Sequence, residues 1–159
     1  GANVDLKAWS EDYYTTHCQA HLKPVLDGIR HLKAAGVWVE VTTLVLPGEN
    51  DAPDQLGGIA GFIAEVDEET PWHISRFHPD YRLTGAQPTP METLHRAKAI
   101  GEREGLRHIY IGNAPAENHT YCPQCGGKVV ERDGMGLNAL SIQDGNCAAC
   151  GHRIPGVWV

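Results

Sequence analysis

Two C-x-x-C pairs, Cys122-Pro-Gln-Cys125-Gly and Cys147-Ala-Ala-Cys150-Gly, constrain this 159-residue chain more than any other feature. In each pair a tight turn directs both sulfurs at one point, and the glycine that follows permits the turn. Twenty-one residues separate Cys125 from Cys147, just beyond the usual zinc-ribbon interval. They carry two strand candidates, at 128–132 and 137–142. A segment of about forty residues buries too little apolar surface to offset its chain entropy without a staple. Zinc held by the thiolates of Cys122, Cys125, Cys147 and Cys150 is therefore expected, in a closed structural site that contributes stability and no catalysis. A tetrahedral four-sulfur site also accepts iron, as in a rubredoxin-like arrangement, and colour separates the two because a zinc protein is colourless. Redox-active pairs or disulfides are the alternatives, and the doubled motif weighs against both.

Apolar residues make up 42% of the chain and charged residues 21%, which predicts a packed, globular protein. The formal net charge of -7 and the lack of a Lys/Arg cluster argue against nucleic acid as a partner. No apolar run approaches the roughly 20 residues of a membrane span and no signal sequence opens the chain, so a cytoplasmic protein with no membrane partner is expected. The fifth cysteine, Cys18, stands apart. Asn118-His119-Thr120 matches a glycosylation acceptor, a pattern short enough to arise by chance. Without an initiator Met, and with a strand-like pattern from its second residue, the chain reads as a fragment of a longer protein.

Residues 2–7 alternate, with Asn3, Asp5 and Lys7 on one face and Val4 and Leu6 on the other, the period of a strand. Leu22, Val25, Leu26, Ile29 and Leu32 recur at helical spacing, and Gly36 is placed to end that helix. A buried strand is expected over 37–46, closed by the turn Pro47-Gly48-Glu49-Asn50. A second helix should start near Asp51 or Asp54 and run to about Val66, with a strand over 72–78 after it. Thr89-Pro90-Met91-Glu92 predicts a third helix opened by an N-cap Thr and a capping box and ended at Gly105, and residues 108–111 supply a last strand. Strand and helix alternate throughout, which implies parallel strands joined by right-handed crossovers in an α/β layer. Short β-like pieces take over from about Asn118, so the domain boundary is expected within 113–119, and we draw it between an α/β domain of residues 1–116 and a four-cysteine domain of residues 117–159.

Asp5 and Lys7 lie at the C-terminal end of the first strand, and His78 ends the third, where parallel α/β folds place ligand sites. A salt-bridged edge strand with a surface histidine is the plainer reading of the same residues. Glu40 and Thr42 share a face of an otherwise apolar strand and hint at a polar interior. His17 and His21, four apart beside Cys18, suggest a helical metal face, but no further ligand accompanies them and Pro24 interrupts a long helix there. Trp9, Tyr13 and Tyr14 are expected to pack.

Val4-Asp5-Leu6-Lys7-Ala8, Val37-Trp38-Val39-Glu40-Val41 leading into Leu46-Pro47-Gly48, and Trp72-His73-Ile74-Ser75-Arg76-Phe77-His78-Pro79-Asp80-Tyr81 resemble successive strands of radical S-adenosylmethionine (radical SAM) enzymes. The pattern is most similar to the AmmeMemoRadiSam system radical SAM enzymes, relatives of the pyruvate formate-lyase activating enzymes. Ile109-Tyr110-Ile111-Gly112-Asn113, the Tyr121-Cys122-Pro123 knuckle and the closing Ile154-Pro155-Gly156-Val157-Trp158 carry the resemblance along nearly the whole chain.

The resemblance implies the C-terminal half of a partial (β/α)6 barrel followed by a small β zinc ribbon. It implies that Asp5 holds the ammonium of S-adenosylmethionine or supports the site, that Lys7 pairs with its carboxylate, and that His78 bonds the ribose. A zwitterionic tail suits one fixed charge of each sign, and a diol suits a polar donor or acceptor. The family's C-x-x-x-C-x-x-C loop, whose thiolates bind a 4Fe–4S cluster, is absent from this chain, as are the earlier strands and a glycine-rich motif for the aminopropyl end. The expectation is thus a parent enzyme that reductively cleaves S-adenosylmethionine to a 5′-deoxyadenosyl radical, with this chain inactive alone and no catalytic residue assigned within it. Implied partners are S-adenosylmethionine, an unknown substrate, the other half of the barrel and a Memo-family protein. Rival readings are a glycyl-radical activase and a non-enzymatic zinc-ribbon binding module; the balanced charges of 118–159 give the latter no footprint for nucleic acid.

Overall fold

The computed structural model describes residues 1–80, 85–134 and 136–158, so Tyr81 of the strand motif lies outside the described residues. The chain divides into two compact units, Gly1–Ala114 and Pro115–Val159.

In the first unit β1 (Ala2–Asp5), β2 (Val39–Val45), β3 (Trp72–Arg76) and β4 (Ile109–Gly112) form one sheet in the order β1-β2-β3-β4, every neighbour parallel. The connections carry α1 (Glu11–Tyr13), which runs on as a π-helical turn over Tyr14–Cys18, then α2 (Leu22–Ala34), α3 (Pro53–Val66) and α4 (Met91–Arg103). Right-handed crossovers between strands laid down in sequence put their helices on one side of the sheet. That side is apolar. Val39, Val41, Val45, Trp72, Ile74, Ile109 and Ile111 are buried there with Leu56, Ile59 and Ile63 of α3 and Leu94, Ala97 and Ile100 of α4. α4 brings Gly101 to the sheet, where a Cβ would lie 2.7 Å from Ile109 Cδ1 and 3.0 Å from the Trp72 ring.

The register aligns Asn3 with Glu40, Asp5 with Thr42, Thr42 with His73 and His73 with Tyr110. Aligned residues of parallel strands share a face, so these polar residues occupy the face opposite the helices.

Several expected boundaries shift. The strands are shorter than their apolar patterns, because pairing stops where the neighbouring strand turns away, and Lys7 and His78 both fall beyond the paired segments. α3 takes Ala52 as its N-cap, with no side-chain cap, because the Asp51 carboxylate instead accepts the Gly48 N–H at 2.8 Å. The cap of α4 is Pro90 rather than Thr89. Thr89 is fully buried, its hydroxyl donating to Val45 O at 2.6 Å and accepting the Phe77 N–H at 3.0 Å. A tertiary partner outcompetes the capping box there.

The second unit holds an antiparallel sheet of β5 (Thr120–Tyr121), β6 (Lys128–Asp133) and β7 (Gly136–Leu140), and a small pair, β8 (Ile142–Gln143) and β9 (Asn146–Cys147). Its buried cluster is Cys122, Val129, Val130, Cys147 and Ile154, with Ile142 and Trp158 packed against it. Among the described residues no helix is long and apolar enough to cross a membrane.

Candidate functional site

The two cysteine pairs fold alike. Cys122 N–H donates to Gly127 O at 2.8 Å and Gly126 N–H donates back to Cys122 O at 2.9 Å; Cys147 and His152, then Gly151 and Cys147, repeat both bonds at 2.8 Å. Gly126 and Gly151 close each turn at φ of +69° and +75°, in the left-handed region glycine tolerates. Two knuckles of one shape thus aim four sulfurs at one point, all ligand atoms lying within 4.8 Å of one another. Cys122 and Cys150 sulfurs are 3.6 Å apart and those of Cys125 and Cys147 3.8 Å. A tetrahedron with metal–sulfur bonds of about 2.3 Å has edges of about 3.8 Å, so the set fits a single four-sulfur ion. The separations are far beyond the roughly 2 Å of a disulfide bond.

The environment favours charge on this cluster unevenly. Burial pushes the Cys122 thiol up, but N–H groups of Cys125 and Gln124 outweigh it and bring it down to about 7. Cys150 receives the His152 N–H, yet burial and the three neighbouring sulfurs carry it up to about 12. Four thiolates crowded together without a cation repel, which is the condition a divalent ion relieves.

The second candidate lies at the C-terminal end of the parallel sheet. Lys7 Nζ reaches the Asp5 carboxylate at 2.8 Å, both side chains about half exposed. His78 stands past β3 and donates Nε2–H to Asn113 O at 3.0 Å, since a carbonyl only accepts; that choice leaves Nδ1 as an acceptor. Asn113 has a φ of 58° and its amide donates to Arg76 O at 3.0 Å. β1 and β3 are separated by β2, so the Asp5–Lys7 pair and His78 open from the same end of the sheet, roughly 10 Å apart laterally at the usual strand spacing.

Sequence reasoning missed much of what surrounds these residues. On the same polar face, Glu40 takes the Trp38 indole N–H at 3.0 Å on one oxygen and pairs with His73 Nε2 at 2.6 Å on the other. The Tyr110 ring lies 5.4 Å from the His73 ring. The period-two alternation of Trp72-His73-Ile74-Ser75 carried the signal, since it puts His73 opposite the buried Trp72 and Ile74. Asn50, which reads as a turn residue, is fully buried and ties three backbone groups together. His17 and His21 turn to separate carboxylates: His17 pairs with Glu49 at 3.4 Å and lies against the Tyr13 ring at a tilt of 42°, while His21 pairs with Glu11 at 2.5 Å.

No family model matches the sequence. Over 158 residues the chain is 44% identical to the uncharacterized protein MJ0808 of Methanocaldococcus jannaschii, the match taking in 96% of this chain and 47% of that protein. The chain spans about half the length of the curated relative it matches. Its fold is similar to the crystal structure of a domain of pyruvate-formate lyase-activating enzyme from Bacteroides vulgatus, at a TM-score of 0.62 and 20% identity over 70% of this chain and 66% of that one. At that identity the likeness is one of fold.

Proposed function

We propose that this chain is the C-terminal portion of a radical SAM enzyme of the AmmeMemoRadiSam type. Residues 1–116 would supply the last strands of a partial (β/α)6 barrel, and residues 117–159 a rubredoxin-like ribbon that holds zinc. One observation carries the reading: an acid–base pair and a histidine stand at the outlets of the first and third strands of one parallel sheet, in a fold like that of an activating-enzyme domain.

In this reading Lys7 pairs with the carboxylate of S-adenosylmethionine and Asp5 with its ammonium, so the contact they now make with each other is exchanged for two contacts with the ligand. His78, held by Asn113 through Nε2, presents Nδ1 to a ribose hydroxyl. In the parent enzyme, reductive cleavage at a 4Fe–4S cluster supplies a 5′-deoxyadenosyl radical that abstracts hydrogen from the substrate. The cluster ligands, the earlier strands and the glycine-rich motif belong to the rest of the parent, and a Memo-family protein is its further partner; this chain alone binds but does not turn over. The four cysteines stabilise the ribbon and take no part in the chemistry.

A glycyl-radical activase is the second reading, favoured by the name of the structural neighbour; it differs in acting on a backbone glycine of a partner protein. S-adenosylmethionine titrated into the purified chain, followed by calorimetry or NMR, tests the common part of both. Lys7→Ala should weaken binding about tenfold or more, as loss of a charge-assisted pair does. Binding that is indifferent to substitution at Asp5, Lys7 and His78 would overturn the assignment.

A further inference from the structure

The backbone ladder of β1 ends at Asp5, yet the next two residues are pinned at every polar backbone group. Leu6 N–H donates to Thr42 O at 3.0 Å, and Leu6 O accepts the Thr43 hydroxyl at 2.8 Å. That hydroxyl accepts the Trp72 indole N–H at 3.0 Å, and both residues are fully buried. Lys7 N–H then donates to the Tyr14 hydroxyl at 3.0 Å, and Lys7 O accepts Asn50 Nδ2 at 2.5 Å. Asn50 also donates to Leu44 O at 2.8 Å and accepts the Leu46 N–H at 2.7 Å. After the one backbone bond to Thr42, side chains from three separate places, the strand β2, the turn after it and the π-helical turn, thus hold the remaining three groups.

The side chain of Lys7 is treated differently. Its main chain is clamped on both sides, while its ammonium is about half exposed and pairs, among the described residues, with the Asp5 carboxylate. A surface lysine needs no such scaffold for stability, because a solvated loop satisfies its own N–H and C=O with water. Tyr14 is nearly fully buried, and burial raises its phenol above the ordinary value, so the hydroxyl keeps its proton at neutral pH. A locked stem with a presented charge is the arrangement by which a binding group is held ready before its ligand arrives.

We propose that Tyr14 and Asn50 are positioning residues that fix the Lys7 main chain, so that its ammonium meets the carboxylate of an amino-acid-tailed ligand. The inference rests on the S-adenosylmethionine reading above and extends it to two residues that touch no ligand. Tyr14→Phe is the sharper variant, because it deletes one oxygen and keeps the ring in its buried place; Asn50→Ala is the stronger, because it breaks three bonds at once.

The test is a double-mutant cycle on S-adenosylmethionine affinity in the full chain, with circular dichroism to select variants that fold. Tyr14→Phe should weaken binding about fivefold, the equivalent of one neutral hydrogen bond, and should have no further effect in a Lys7→Ala background, since the two act through one contact. An undiminished affinity of Tyr14→Phe and Asn50→Ala alongside a weakened Lys7→Ala would overturn the clamp and leave the ligand assignment standing. Equal losses with and without Lys7 would also overturn it, because they mark a general effect on the fold. If the unsubstituted chain takes up no S-adenosylmethionine, the underlying assignment falls and the clamp with it.

Discussion

Asp67, just past the C-terminus of α3, answers several demands with one carboxylate. It takes Lys33 Nζ from the last turn of α2 at 2.6 Å and the Glu69 N–H at 2.9 Å, while its own carbonyl accepts the Thr70 N–H at 2.9 Å. Burial raises the carboxyl, but the Lys33 ammonium and the Glu69 amide outweigh it and hold the group below its ordinary 3.8. A folded value depressed in this way stabilises the fold fully above that ordinary value and less as pH falls below it. Asp67→Asn should therefore lower stability at pH 7 by no more than about 1 kcal/mol, given its solvent screening. In thermal melts the gap between variant and parent should close below about pH 3; a gap of constant size across the range would contradict the ion-pair account.

Helix α3 shows how neighbouring positions of one residue type carry opposite requirements. Trp9 lies along it, its N–H bonded to Gln55 at 3.0 Å and its indole 5.9 Å from the Phe62 ring, and a Cβ at Gly58 would sit 2.2 Å from the indole Cδ1. At Gly57 a Cβ meets nothing within 4 Å. Gly57→Ala should gain up to about 1 kcal/mol from helix propensity, whereas Gly58→Ala should lose about 1–3 kcal/mol by displacing Trp9. Urea midpoints of the two variants moving in the same direction would show that the indole does not bear on Gly58. The helix itself was legible from its acidic start and its end near Val66, and so were β2, which is rich in β-branched residues, and α2 from its apolar spacing with Gly36 behind it. The start of α4 was not. Thr89 followed by Pro90 and Glu92 satisfies every local condition for a cap, yet its hydroxyl is claimed by Val45 and Phe77, residues twelve or more positions away. Local chemistry reads the candidates for a hydrogen bond; the fold decides among them.

For the molecule as a whole, the same division separates what was legible from what was not. The cysteine spacing pointed to the convergence of four sulfurs because each knuckle is a local object, and Asp5 and Lys7 were visible as neighbours because a strand places alternate residues side by side. The pairing of Glu40 with His73 depends on the register of β2 against β3, which no local pattern states. The two units also differ in what sustains them. The first has an extensive apolar layer between sheet and helices, while the second has a small cluster around two of its cysteines. A strong chelator should therefore collapse the dispersed amide signals of residues 115–158 in an NMR spectrum and leave those of 1–114 in place. Persistence of both sets after the metal is stripped would mean that the small unit stands on packing alone.

The likeness of the two knuckles reaches beyond the native state. Each is built by bonds between residues no more than five apart, so either half can reform while the rest of the small unit is disordered, and each still offers an ion two sulfurs. Loading of a metal would then be sequential, first one half and then the other, and the metal would favour the native state by less than its affinity for the finished site, because the denatured chain would retain a share of it.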